Sequence, residues 1–114
     1  MVEASFRVLF WVSATGEKPV ADWMKNLESR DRVYLGDLLR DLAVDGPLAR
    51  PKVFKHLEGS LWECRDLRRP GPGFRVYFGF DGQVICVVVA TGDKSSQRRD
   101  IELAKKRLRM TEVD

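Results

Sequence analysis

The stretch GFRVYFGF (73–80) is apolar enough for a buried strand, yet it carries Arg75 and Tyr77 two residues apart. Strand side chains alternate between faces. Phe74, Val76, Phe78 and Phe80 therefore point one way, and Arg75, Tyr77 and Gly79 the other. The stretch LWECRDL (61–67) divides in the same manner, with Trp62 and Cys64 opposed to Glu63 and Arg65. If the apolar sets face a core, then Glu63, Arg65, Arg75 and Tyr77 gather on the opposite surface, where one exposed patch is expected. Arginine offers phosphate a planar, bidentate fork. Tyrosine stacks on a base or donates its hydroxyl. Glu63 is open to two roles, an ion-pair partner across strands or a general base. The residue types suit phosphate and RNA chemistry; an ordinary solvated face is the plainer alternative.

Further cations lie outside these strands. Lys52 and Lys55 sit on a basic segment, RPKVFKHLEGS (50–60), together with His56, the only histidine. Lys94 follows the last strand in GDKSSQ (92–97), and Arg98 and Arg99 come next. Asp93 favours the start of a helix by its charge; cations there are electrostatically misplaced, which turns them towards a ligand. Residues 1–51 hold 7 Lys/Arg against 8 Asp/Glu, whereas residues 52–109 hold 13 against 7. The basic character thus belongs to the second half and permits a polyanionic partner. Cys64 and Cys86 lie in apolar stretches and read as reduced core thiols. With one histidine they make no plausible zinc site. No metal or cofactor is expected.

These side chains must be positioned by a small scaffold. A chain of 114 residues favours one domain, 1–114 with a core at about 5–109. FRVLFWV (6–12) reads as a first strand. Pro19 suits a helix's first turn, and Val20, Trp23, Met24 and Leu27 follow at helical spacing. Leu35, Leu38, Leu39 and Leu42 repeat that spacing up to Asp45-Gly46-Pro47, a helix stop. Segment 50–60 reads as a connector, with a turn at residues 58–60. Strands 61–67, 74–80 and 83–91 follow, the last two joined by an Asp81-Gly82 hairpin. The strand at 83–91 is apolar throughout and should be covered on both faces. Ser95 or Ser96 is the expected N-cap of a last helix carrying Ile101, Ala104 and Leu108 on one face. The fold expected is α+β: an N-terminal helical hairpin on a mainly antiparallel four-stranded sheet, with a C-terminal helix. No run is long and apolar enough to cross a membrane. The start lacks the pattern of a signal peptide, so a cytoplasmic location is expected.

Three motifs occur in order. They are an E-x-R strand (Glu63, Arg65), G-x-G-F-R-V-Y (Gly71, Gly73, Phe74, Arg75, Val76, Tyr77), and GDKSSQ (92–97) followed by D-I-x-x-A (Asp100, Ile101, Ala104). With Trp23 and Leu27 upstream, the chain resembles the RelE/ParE superfamily of type II toxins in its HigB-like branch, the addiction-module killer proteins. The resemblance covers about residues 5 to 109. It implies the small RelE fold and a cognate helix-turn-helix antitoxin. It also implies metal-independent, ribosome-dependent cleavage of mRNA. In that reading Arg75 matches the arginine at the scissile phosphate, Arg65 the basic position on the preceding strand, and Lys94 a catalytic position after the last strand. Tyr77 stands beside Arg75, and the general acid and base fall to His56, Glu63 or Lys94. Lys52, Lys55, Arg98 and Arg99 would meet RNA phosphate. The alternatives are a ParE-like toxin that binds gyrase or another protein without cutting RNA, or an inactive phage-derived relative. Arg75, taken as a surface residue, should be replaceable by alanine with folding nearly intact.

Overall fold

The computed structural model describes residues 5–82 and 85–112. Its elements run β1 (Arg7–Phe10), α1 (Pro19–Lys25), α2 (Ser29–Asp45), β2 (Phe54–Glu58), β3 (Leu61–Arg65), β4 (Phe74–Gly79), β5 (Ile85–Asp93), a 3₁₀ turn (Lys94–Ser96) and α3 (Gln97–Glu112). The fold is α+β, with one five-stranded sheet in the order β1-β5-β4-β3-β2. Strands β2 to β5 pair antiparallel in turn, while β1 runs parallel to β5.

Two expectations are corrected. The sheet is mixed and has five strands, not four, because segment 50–60 contains β2. That strand lies at the sheet's edge, where Lys55 and His56 stay exposed on opposite faces and only Phe54 is buried. Charged edges guard against stray pairing, and here they also hide the strand's alternation. The expected helical hairpin is likewise looser than a pair: α1 packs chiefly on β5 and α2 on β1. The guanidinium of Arg32 ties the helices together by donating to the Lys25 and Leu27 carbonyls, at 3.2 and 3.1 Å.

Each helix is formed as its sequence demands. Pro19 stands in the first turn of α1, which buries Val20 and Met24. The row Leu35, Leu38, Leu39 and Leu42 of α2 is buried entirely. Gly46, at φ 80°, stops that helix, and its N–H donates to the Leu42 carbonyl at 2.9 Å. Against these rows lie Phe54, Cys64, Val76, Phe78, Cys86 and Val88. Both cysteines are free and buried. Burial pushes the Cys64 thiol up to about 12 and the Cys86 thiol up to about 11.

The sheet's other face is covered by α3. Its stripe of Ile101, Ala104 and Leu108 packs on Leu61, Tyr77, Val89 and Ala90. Two glycines permit this approach. A Cβ at Gly79 would strike a Leu108 methyl, and one at Gly92 would stand 2.7 Å from both the Asp100 Cγ and the Ser96 Oγ. A β-bulge shifts the register, so that Tyr77 faces Ala90 while Phe78 faces Val88. The intervening carbonyl of Val89 accepts from Arg107 Nη1 at 2.7 Å, and that guanidinium lies 4.5 Å from the Trp11 ring centroid. Strand β5 thus continues to Asp93, two residues past the expected end; Gln83 and Val84, at the expected start, lie outside the described residues. Among the described residues no helix is long and apolar enough to cross a membrane.

Candidate functional site

The loop before β4 is anchored by one carboxylate. Asp66 accepts from Arg68 N, Nε and Nη2 at 3.1, 2.9 and 2.8 Å, and from Phe74 N at 3.4 Å. Burial alone would raise the Asp66 carboxyl, but the bonds from Arg68 and Phe74 outweigh it and hold the group below its ordinary value. Arg68 also reaches Asp31 of α2 at 2.8 Å and lies 4.3 Å from the Tyr34 ring centroid. The start of β4, and with it Arg75, is therefore tied to the helical layer.

Alternation places Glu63, Arg65, Arg75 and Tyr77 on one face, as the sequence requires; Arg65 pairs with Arg75 and Glu63 with Tyr77 across β3 and β4. The patch is not exposed, however. Glu63 is 2% exposed, Arg75 9% and Tyr77 0%, and Arg65 is half-buried. Alternation fixes a face but not what covers it. The apolar stripe of α3 needs burial and finds it over these strands.

Under α3 the polar groups form a compact cluster. Arg75 Nε stands 2.9 Å from Glu63 Oε1. The N–H is not aligned for a hydrogen bond, so the contact is charge attraction. Gln97, the first residue of α3, donates from Nε2 to Glu63 Oε1 and Oε2 at 3.4 and 3.3 Å. The Tyr77 hydroxyl is buried and meets no hydrogen-bond partner among the described residues. Burial first, then the Glu63 and Asp100 carboxylates, push the phenol above its ordinary value, against the pull of Arg75. It is therefore a neutral group at physiological pH.

The 3₁₀ turn that leads into α3 is capped by Asp93, with Ser95 and Ser96, the expected caps of the last helix, inside that turn. Asp93 Oδ1 accepts from Ser95 N at 2.9 Å and Ser96 N at 3.2 Å, and Ser96 Oγ accepts in return from Asp93 N at 3.2 Å. This reciprocal arrangement is a capping box. The Ser95 side-chain hydrogen bond, with the backbone bonds behind it, lowers the Asp93 carboxyl. Ser96 Oγ also donates to Asp100.

Lys55 is the cross-strand partner of Glu63. Lys94 follows Asp93, the partner of Phe74. Arg98 and Arg99 follow Gln97 in sequence, and the side chains of Lys55, Lys94, Arg98 and Arg99 are exposed, as is Lys52. His56 is not brought to Arg75. It pairs with Trp62 on the sheet face that carries the helical layer, 5.3 Å from that ring, and its Nε2 bonds to the Gly59 carbonyl at 2.8 Å. Among the described residues no group of three or more His, Cys, Asp or Glu is arranged to hold a metal ion.

Gln97 and Asp100 stand in the motifs read from the sequence, but that reading gave neither a place at the site. Their signal was present: extending the Ile101–Ala104–Leu108 stripe back one turn reaches Gln97, and Asp100 adjoins it.

A sheet carrying an arginine–carboxylate pair beneath its C-terminal helix, with lysines and arginines at the rim, is the frame on which the comparison bears. Residues 22–109 match the family described as Phage derived protein Gp49-like (DUF891), and the chain belongs to that family. The family lies within the RelE/HigB-like toxin superfamily. Its membership is consistent with the toxin of a toxin–antitoxin pair, for which an antitoxin partner follows. No curated protein matches the chain.

Proposed function

We propose that this chain is the toxin of a type II toxin–antitoxin system, in the HigB-like branch, and that it cleaves mRNA on the ribosome without a metal. Its partners are then a helix-turn-helix antitoxin, the ribosome and mRNA, in the cytoplasm. The observation that carries the reading is Arg75, held at Nε by Glu63 in a largely covered site. A guanidinium in such surroundings stabilises phosphorane charge far better than one in open water. Lys94, exposed one residue past β5, would donate to the leaving 5′-oxygen. Lys52, Lys55, Arg65, Arg98 and Arg99 supply contacts to backbone phosphate. Of the candidate bases, His56 lies on the wrong face. That leaves Glu63 to take the 2′-hydroxyl proton while Lys94 protonates the 5′-oxygen, or Lys94 to take the first proton and pass it on to the leaving oxygen, with Tyr77 as a neutral neighbour.

Burial changes the mutation that tests this. Arg75→Ala would strand the Glu63 carboxylate, and breaking a buried pair in this way costs about 3–5 kcal/mol. Arg75→Lys keeps the charge and loses the fork. We expect Arg75→Lys to lower mRNA cleavage about a hundredfold while most molecules remain folded. Lys94→Ala should act in the same direction at a stability cost within about 0.5 kcal/mol. Toeprinting on translating ribosomes, beside thermal melts, measures both. Wild-type cleavage by a folded Arg75→Lys protein would remove Arg75 from the mechanism.

One observation favours a second reading. Tyr77 is wholly covered and cannot stack on a base in this conformation. A toxin that binds a protein target, in the ParE manner, needs no open nuclease site. Growth arrest without any mRNA cleavage would select that reading.

A further inference from the structure

Glu63 is held on two sides, by Arg75 from within the sheet and by Gln97 from the helix above it. The side-chain amide of Gln97 lies 3.4 and 3.3 Å from the two carboxylate oxygens. Glu63 Oε1 in turn lies 2.9 Å from Arg75 Nε. We propose that Gln97 is a positioning residue: it fixes the Glu63 carboxylate against the Nε side of Arg75, so that the far edge of the guanidinium is presented to an oxyanion.

Three observations support the assignment. First, Nε is wholly covered beside Glu63, while 11% of the Arg75 side chain stays exposed; the bidentate grip on phosphate left to it is the one through the two Nη groups. Second, Gln97 directly follows the 3₁₀ turn locked by the Asp93–Ser96 capping box, so its amide is delivered from a fixed point of the backbone. Third, Gln97 is neutral and half-buried. It orients the carboxylate without adding a charge that would compete with phosphate for Arg75, as an acid would, or for Glu63, as a lysine would. Without that donor the misaligned Arg75–Glu63 contact has no second restraint from α3, and the guanidinium gains freedom to turn. Orientation errors of this kind are costly in rate even when stability barely changes.

The inference rests on the nuclease reading for its catalytic consequence but not for its geometry, and the experiment separates them. Gln97→Met, which keeps length and loses both donors, and Gln97→Glu, which sets a like charge against Glu63, are compared with wild type. Cleavage of mRNA on ribosomes gives kcat and KM. Nitrogen-15 spectra of the arginine side chains, with Arg75 assigned from the Arg75→Lys variant, report how freely its guanidinium rotates. Expected for Gln97→Met is a fall in kcat of about tenfold or more, with KM within about twofold. The two Nη signals of Arg75, separate in the wild type, should merge. Gln97→Glu should be worse in both respects. Wild-type kcat together with an unchanged Arg75 spectrum in Gln97→Met would overturn the inference. If the wild type cuts no RNA, the nuclease reading fails, and the Arg75 spectrum alone then decides whether Gln97 positions it. Thermal melts of both variants, with Gln97→Ala as a third, identify any loss that comes from unfolding.

Discussion

Asp66 shows how one side chain sets the position of a site it never touches. Its buried carboxylate collects the backbone and guanidinium of Arg68 and the N–H of Phe74, one residue before Arg75. Because these bonds hold its carboxyl below the ordinary range, the unfolded chain takes up the proton at higher pH than the folded one. Asp66 therefore stabilises the fold above its unfolded value of about 3.9, and that contribution is lost as pH falls through the depressed folded value. Asp66→Asn should cost about 1–3 kcal/mol at neutral pH. Urea denaturation of both proteins at neutral pH and near pH 3 measures the gap between them. The gap should narrow in acid; a gap that does not move would show that the Asp66 charge is irrelevant to stability. Through Asp66 and Arg68, the segment between β3 and β4 is also a strut to α2.

At the scale of elements, α3 decides what the site is. Its closeness to the sheet depends on Gly92, where an added Cβ would meet both Asp100 and Ser96. Gly36, inside α2, has no heavy atom within 4 Å of the same construction. The two substitutions should therefore differ in sign. Gly36→Ala removes backbone entropy from the unfolded chain and should stabilise by about 0.5–1 kcal/mol. Gly92→Ala forces Asp100 and Ser96 away from the strand and should destabilise by about 1–3 kcal/mol. Paired thermal melts test this; equal shifts in one direction would refute the close packing of α3 on β5. These contacts also mark the limit of what the sequence discloses. The leucine row of α2 and the stripe of α3 are legible because a 3.6-residue period survives in the types alone. So is the division of Arg75 from Val76, since alternation is strict. Strand β2 is not legible, because an edge strand needs no apolar alternation. The bulge at Val89 is hidden in a uniformly apolar run. The covering of Arg75 and Tyr77 is hidden too: a helix stripe says that it must be buried, not on which face of which sheet.

For the whole molecule, the sheet divides the charge as well as the core. The layer of α1 and α2 belongs to the half of the chain with 7 Lys/Arg against 8 Asp/Glu, while β2 to α3 carry the excess of basic residues. The exposed Lys55 lies opposite Glu63 in register, and the exposed Lys94, Arg98 and Arg99 follow Asp93 and Gln97 in sequence. If these cations meet single-stranded RNA, binding must release counterions, and the logarithm of affinity falls linearly with that of salt concentration. Each phosphate contact contributes a slope of about 0.7 for a single strand. Removing one by Lys94→Ala or Arg98→Ala should flatten the slope by about that amount and leave sequence preference unchanged, since phosphate contacts carry none directly. Titrations of a short oligoribonucleotide between about 50 and 200 mM salt measure this. Apolar side chains offer the competing surface: Leu9, Phe10, Val12 and Met110 are 39–50% exposed and lie towards the β1 edge of the sheet. A protein target seated there would bind with little dependence on salt and would ignore Lys94→Ala. A flat salt response with undiminished growth arrest would therefore move the function from the basic rim to that apolar edge.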